Sequence, residues 1–150
     1  MRSLLFLLLW VPELGIGITG THLHKIDEAP IGVYGRFFLN FSGNSALDAE
    51  VTRYSSKTSV LLGMKSGKRL DRFGGFAKAR AGMWHFDRPV FAVDLGGVLE
   101  YYPSRRTVIR IDAGDTILFY GGPALGTVHN FQPAIGFGYR FQLLRPAGLF

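Results

Sequence analysis

The segment IGVYGRFFLNF, residues 31–41, alternates between two kinds of side chain. A two-residue period places successive side chains on opposite faces of a β-strand. The first set is apolar apart from one glycine, and the second mixes glycine, aromatic and polar residues. The first set consists of Ile31, Val33, Gly35, Phe37, Leu39 and Phe41. The pattern therefore predicts a strand with one apolar face and one largely polar face, and it does not fit a helix.

The same period recurs along the chain in runs that are separated by turn-forming residues. The eight runs cover residues 13–24, 31–41, 46–54, 59–69, 75–85, 90–102, 106–119 and 129–141. The connections SGNS, DRFGG and YPSR are tight, whereas KIDEAP and YGGPALGTV are longer. Helical periodicity is absent. These features predict an all-β fold with eight antiparallel strands. Together with the orientation of the apolar faces, given below, they predict an eight-stranded transmembrane β-barrel.

The composition agrees with one all-β domain. The chain has 150 residues, of which 20 are glycine and none is cysteine. The absence of cysteine excludes disulfides and thiolate metal sites. The formal net charge of +6 permits anionic partners, but charge bears on association and not on fold.

The first twelve residues, MRSLLFLLLWVP, place one basic residue before an apolar run. This is the order found in secretory signals, although no A-x-A cleavage site follows, and a buried N-terminal strand is the alternative interpretation. No later segment reaches the ~20 apolar residues of a membrane-spanning helix. The predicted organisation is a signal or N-terminal segment over 1–12, a barrel over 13–141 and a C-terminal extension over 142–150.

Charged residues gather on the polar faces of the predicted strands, with glycines between them. The set comprises Arg36, Asp48, Glu50, Lys65, Arg69, Lys78, Arg80, Asp94, Glu100, Arg106, Arg110, Asp112 and Arg140. Because both signs share one surface, we expect a mutually neutralising network inside the barrel. The expected cross-strand pairs are Glu100 with Arg110, and Asp94 with Lys78 or Arg80. Val108 falls on the same face and is an apolar exception.

The apolar faces must point either into the barrel or out of it. An eight-stranded barrel is just wide enough inside for side chains, so the many large apolar groups would not fit there. We therefore expect them to face lipid or to form interfacial girdles. The residues assigned to this role are Phe37, Leu39, Phe41, Phe91, Leu95, Tyr101, Ile109, Phe137, Tyr139 and Phe141. The girdles are also predicted to contain Tyr102, Trp84, Phe86, Phe119 and Tyr120.

Three segments carry a family resemblance. GMKSGKRLDRFGGFAKARAG, VDLGGVLEYYPSRRTVIRIDAGDT and IGFGYRF resemble the eight-stranded outer-membrane β-barrel proteins of Gram-negative bacteria, including acidobacterial porin-family sequences. The resemblance covers about residues 13–141. It implies an outer-membrane location, contact with outer-membrane lipids, and recognition of the last strand, with Tyr139 and Phe141, by the barrel-assembly machinery. The chain departs from the family pattern because QLLRPAGLF follows Phe141.

Motifs for chemistry are weak. GMKSGK, residues 63–68, is one residue short of a phosphate-binding loop and has no Ser or Thr after its last Lys. His22 and His24 share a strand face, but two histidines at a strand end are more often solvated than metal-bound. We expect no enzyme activity, no cofactor and no metal.

The predicted function is that of a monomeric, non-enzymatic outer-membrane barrel with a charged, side-chain-filled lumen and a structural or surface-interaction role. Nucleic-acid binding is not expected, because it would need the arginines outside and the aromatic face buried. One alternative is a soluble or periplasmic barrel that binds a small acidic ligand, and another is a narrow anion-favouring pore. A third, an outer-membrane lipid-modifying enzyme, would need a Ser-His pair close together at the rim.

Overall fold

The computed structural model describes residues 11–23, 28–42, 44–121 and 126–141. Eight strands follow one another along the chain. They are β1 Val11–Gly20, β2 Ile31–Asn40, β3 Ser45–Tyr54, β4 Thr58–Leu70, β5 Phe73–His85, β6 Pro89–Tyr101, β7 Thr107–Phe119 and β8 Thr127–Arg140. Each strand is antiparallel to its neighbour, and β8 pairs with β1 to close the barrel. The predicted fold class is confirmed.

Each predicted run corresponds to one strand, with differences at the ends. β1 begins at Val11, which pairs with Asn40, and it ends at Gly20 rather than at residue 24. Residues 11 and 12 therefore belong to the barrel and not to the N-terminal segment, which corrects the predicted boundary at residue 13. Residues 1–10 and 142–150, which carry the rest of the predicted signal and the C-terminal extension, lie outside the described residues. No helix in the described ranges could span a bilayer.

The two ends of the barrel differ in their connections. One end, here called the turn end, holds the start of β1, the end of β8 and the connections over residues 41–44, 71–72 and 102–106. The opposite end, here called the loop end, holds the connections over residues 21–30, 55–57, 86–88 and 120–126. Both ends of the described chain thus lie at the turn end.

Side chains alternate between the two faces of every strand, and β5 shows the arrangement clearly. Lys78 and Arg80 are buried in the interior, while Ala79 and Met83 are exposed on the outer surface. Of the residues predicted to face lipid, Phe37, Phe91, Leu95, Ile109, Phe137, Tyr139 and Phe141 are exposed, and Leu39, Phe41 and Tyr101 are partly exposed. An apolar surface of this extent in contact with water would be unfavourable, so the outer face suits a lipid environment.

Four of the aromatic residues expected in the girdles lie on the inner side instead: Phe86 and Tyr120 are partly buried against interior apolar residues, and Trp84 and Tyr102 are buried. Trp84 is fully buried and stacks on Tyr54, with the ring centroids 4.9 Å apart. Tyr102 is also buried, and its hydroxyl donates a hydrogen bond to Glu100 inside the barrel. Both were assigned by residue type and position near a strand end. The alternation sets the face, and it places Trp84 on the side of Lys78 and Tyr102 on the side of Glu100.

Candidate functional site

Four arginines in the interior each face a carboxylate directly across a strand ladder. The opposed pairs are Arg36 with Glu50, Arg80 with Asp94, Arg110 with Glu100 and Arg140 with Glu13. In every pair the arginine Nε donates to the carboxylate, at 2.7, 2.8, 2.7 and 2.7 Å respectively. The strand register alone therefore pairs these charges, because directly opposed inward residues approach within side-chain reach.

The guanidinium groups then reach across the lumen to a second carboxylate. Arg36 Nη1 donates to Asp112 on β7 at 2.8 Å, and Arg80 Nη1 donates to Glu50 on β3 at 2.7 Å. Arg110 also donates to Glu13 on β1. These contacts join strands that are not neighbours, so the network crosslinks the barrel wall from the inside. Bidentate and charge-assisted contacts of this kind are among the stronger hydrogen bonds in proteins.

The charges form two clusters. The turn-side cluster consists of Glu13, Lys65, Glu100, Arg110 and Arg140. The central cluster consists of Arg36, Asp48, Glu50, Lys78, Arg80, Asp94 and Asp112.

The buried ring of Phe38 lies between the clusters. It is 4.2 Å from Lys65 Nζ and 4.3 Å from Arg110 Cζ, measured from its centroid. Arg36, in the central cluster, lies 5.6 Å from the same centroid. Phe38 is thus a shared cation–π partner that also separates the two sets of charges.

The buried charges of the described residues balance. Six acids and six bases are buried there, whereas the sequence analysis expected five acids and eight bases. Arg106 is exposed in the turn before β7 and is not in the interior, because β7 begins one residue later. Arg69 is partly exposed at the turn end, where no ion pair with a described carboxylate is found. Glu13, whose face was not assigned from the sequence, is fully buried and supplies the sixth acid.

Both pairings expected for specific acids are present. Glu100 contacts Arg110, and Asp94 contacts Arg80 at 2.7 Å and Lys78 at 3.3 Å. Alternation could have identified Glu13 as well, because β1 exposes Leu14, Ile16 and Ile18 on the opposite face. Val108 is buried inside, as its position in the alternation indicated.

Glycines on the inner face make the room that these side chains occupy. A Cβ atom at Gly138 would lie 2.8 Å from Val108 Cγ1 and 2.9 Å from Glu13 Oε1. A Cβ atom at Gly136 would lie 2.0 Å from the hydroxyl of Tyr34. Any larger residue at these positions would displace an interior side chain.

Above the central cluster, toward the loop end, the interior changes from charged to uncharged polar groups. Thr116 Oγ1 lies 2.6 Å from Gln132 Oε1 and 3.3 Å from an Asp94 carboxylate oxygen, so its one hydroxyl proton can be donated to either. Gln132 in turn donates to the Tyr54 hydroxyl at 3.0 Å and to Thr19 at 3.3 Å. This layer connects the charges to the apolar residues beyond it without leaving Gln132 unpaired.

Apolar side chains fill the interior at the loop end, and we call this group the plug. The plug consists of Leu23, Tyr54, Leu61, Trp84, Val90, Ala92 and Leu118, with Phe86 and Tyr120 packed against it. The ring centroids of Trp84 and Phe86 are 5.7 Å apart. Burial raises the pKa of Tyr120, so its hydroxyl stays neutral where the side chain packs against the plug. The plug thus occupies the interior at this end.

Among the described residues, the turn end is open by contrast. A cavity of about 710 Å³ lies there, lined by arginines from β4, β8 and two turns, and we call it the mouth. Tyr102 forms part of its wall. Its position just beyond β6 places it between the turn-side cluster and the cavity.

Ligand sets for metals are not found in the described ranges, where no three His, Asp or Glu side chains come together suitably. His22 is described, but His24 lies outside the described residues, so the expected grouping of the two on one face is not observed. His129 lies on the outer face and contacts Asp115 at 2.5 Å. The charged side chains of the described interior are thus engaged in ion pairs.

Comparison with known proteins finds similarity in structure only. No protein-family model and no curated protein matches the sequence. The N-terminal β-barrel domain of Pseudomonas aeruginosa OprF is similar with a TM-score of 0.61 and 13% identity, over 86% of this chain and 97% of that chain. The attachment invasion locus protein Ail of Yersinia pestis is similar with a TM-score of 0.51 and 16% identity, over 88% and 99%.

A designed transmembrane barrel, TMB2.3, is also similar, with a TM-score of 0.59 and 16% identity, over 89% of this chain and 97% of that chain. At these identities the likeness establishes the fold. The chain has the fold of the eight-stranded transmembrane β-barrels, which natural and designed sequences share and which does not by itself define an activity.

Proposed function

We propose that this protein is a monomeric, non-enzymatic β-barrel of the outer membrane of a Gram-negative bacterium, with a structural or surface-interaction role. The observation that carries the proposal is the pairing of an apolar outer surface with a lumen filled by balanced charges. An apolar exterior suits lipid, and a neutralised interior needs no water-filled channel to solvate its charges.

A sealed lumen favours this role over an anion-selective pore. The plug fills the loop end with large apolar side chains, and the charged clusters fill the middle with side chains that contact one another. In addition, six buried bases against six buried acids leave no excess charge among the described interior residues to select anions. Eight-stranded barrels are generally filled by their own side chains.

The structural neighbours and the aromatic end of the last strand also support a membrane location. The neighbours OprF and Ail are barrels of Gram-negative bacteria, and the sequence resembles outer-membrane porin-family proteins, including acidobacterial ones. Tyr139 and Phe141 lie at the end of the last strand, with their rings edge to face at 5.3 Å. We propose that this strand is the part of the chain that the barrel-assembly machinery recognises and that lipids of the outer membrane cover the apolar face.

Refolding tests the proposal. The chain is dissolved in urea, refolded into detergent micelles, and run on an SDS gel with and without boiling. A closed membrane barrel resists SDS until it is heated, so we expect two different mobilities. A protein that folds in plain buffer and shows no shift would support the alternative of a soluble barrel that binds a small acidic ligand.

Conductance across a planar bilayer separates the sealed barrel from the pore. We expect no conductance steps from the refolded protein, because the plug and both clusters obstruct the lumen. Regular steps with a preference for anions would overturn the sealed lumen while leaving the membrane location intact.

A further inference from the structure

The mouth differs from the rest of the interior in its charge. Arg69, Arg72, Arg105 and Arg140 line it, and Asp71 is the one acid in its lining. Of these arginines, Arg140 pairs with Glu13, whereas Arg69, Arg72 and Arg105 form no ion pair among the described residues. The balanced clusters below therefore end in a cavity that carries excess positive charge.

Two of these arginines retain donors that nothing in the described chain accepts. Arg69 Nε and Arg140 Nη2 are buried and have no hydrogen-bond partner. Glu100 Oε2 lies 3.8 Å from Arg140 Nη2, which is beyond hydrogen-bond range. Buried unpaired donors are costly. Both side chains also line the mouth, so a ligand acceptor that draws their guanidinium groups toward the cavity would satisfy these donors.

Tyr102 holds these two arginines in place. Its ring lies 4.4 Å from Arg69 Cζ and 4.6 Å from Arg140 Cζ, so that both guanidinium groups contact one aromatic ring. Burial, together with the neighbouring Glu100 carboxylate, raises the pKa of Tyr102, and its hydroxyl therefore remains protonated and donates to Glu100. An anchored ring of this kind orients the arginines before any ligand arrives, which lowers the entropic cost of binding.

A hydroxyl donor completes the wall. Ser42 Oγ accepts hydrogen bonds from the backbone N–H groups of Asn44 and Ser45, at 3.1 and 2.9 Å. Its own proton is then free to donate toward the mouth, which Ser42 also lines.

We propose that the mouth binds a ligand that carries more than one phosphate group. The guanidinium fork matches the geometry of phosphate oxygens, and several arginines around one cavity favour several charged groups on one ligand. The phosphate can belong to a soluble organic phosphate or to a lipid headgroup at the adjacent membrane surface. The site does not require a sealed lumen, but the lipid headgroup as a ligand rests on the membrane location proposed above.

Calorimetric titration with inositol hexaphosphate tests the site on the full chain refolded in zwitterionic micelles. Arg72→Gln with Arg105→Gln removes two exposed charges from the mouth, and we expect at least about a tenfold loss of affinity. The matched control is Arg53→Gln with Arg88→Gln, which removes the same charge from exposed positions at the loop end. The control should change the affinity by less than about twofold.

Nanodiscs distinguish the two sources of phosphate. Amide NMR shifts of mouth residues are compared between phosphatidylcholine discs and discs that also contain cardiolipin, whose headgroup carries two phosphates. Shifts that the mouth variant loses and the control retains would identify a lipid headgroup, even if inositol hexaphosphate does not bind. No binding of either probe, or equal losses in the mouth and control variants, would overturn the proposal. The heat-dependent gel mobility, read in parallel, shows whether the barrel itself has formed.

Discussion

Leu61 and Leu62 are neighbours in β4, yet the first is 1% exposed within the plug and the second is 63% exposed on the outer surface. The same contrast runs around the barrel. An outer side chain needs to be apolar, and lipid chains adapt to its shape. An inner side chain must fit the space left by its glycine neighbours and must satisfy every polar group it carries. Substitutions on the outer face can thus change the size of a side chain but cannot introduce a charge. On the inner face both the size and the charge of a side chain are constrained.

The largest effect is expected from Arg80→Ala on the inner face. The change removes the cation that contacts Glu50 and Asp94, both at 2.7 Å, and leaves their carboxylates short of a partner. We expect the free energy of unfolding to fall by about 3–5 kcal/mol. Urea unfolding in micelles, followed by tryptophan fluorescence, measures the loss. Arg53→Ala, at an exposed position, should stay within about 0.5 kcal/mol, and equal losses in the two would contradict the importance of the central cluster.

Leu95→Arg tests the outer face with a charge. Leu95 lies in the middle of β6 and is 48% exposed, so an arginine there would face the centre of the bilayer. The expected cost is about 2–4 kcal/mol, seen as a smaller fraction of folded barrel on heat-shift gels after folding into vesicles. Leu70→Arg, at the end of β4 beside the turn end, should cost about 0–1 kcal/mol. If both variants fold equally well, the apolar face does not meet lipid.

Size is tested by two glycine substitutions on opposite faces. The new methyl group of Gly136→Ala would lie 2.0 Å from the Tyr34 hydroxyl and 2.7 Å from the Ile16 carbonyl oxygen. Gly35→Ala, on the outer face, meets nothing within 4 Å. Urea unfolding should show a loss of about 1–3 kcal/mol for the first. The second should change stability by less than about 0.5 kcal/mol, and a similar loss at Gly35 would remove the distinction between the faces.

The smallest expected effect comes from deleting one hydroxyl. Tyr102→Phe keeps the ring between the two arginines and removes the hydrogen bond to Glu100, which should cost about 1 kcal/mol. Tyr101→Phe alters the preceding residue, whose side chain lies on the opposite face against Phe73. Tyr101→Phe should therefore be close to neutral in the same unfolding experiment. An equal loss at Tyr101 would show that the Tyr102 hydroxyl bond adds nothing specific.

Alternation predicted all eight strands because the face of a strand residue is a local property of the sequence. The wrong assignments arose where the face of a residue was not taken from the alternation. Arg106 was counted as a strand residue although it precedes β7, and Trp84 was judged by its residue type. Glu13 was missed because β1 was given no faces, although its alternation was readable.

Contacts across the lumen could not be predicted in this way. The pair of Arg36 and Asp112 joins β2 and β7, and that of Arg80 and Glu50 joins β5 and β3. The stagger of the strands around the closed barrel decides which inward residues lie at the same height. The residue pattern of a single strand does not contain this stagger. The mouth was missed for the same reason, since its arginines come from separate strands and turns.

The ladder between β1 and β8 has a kinetic consequence. It contains seven residue pairs, whereas the β4–β5 ladder contains 13, and its ion pair between Glu13 and Arg140 joins residues 127 positions apart. Every other ladder joins consecutive strands, so its residues are close along the chain and can meet early. Closing the ring brings distant ends together for the shortest ladder, and the loop entropy lost is largest there. Formation of the β1–β8 ladder is therefore expected to be the slow step of folding, and its separation the first step of unfolding.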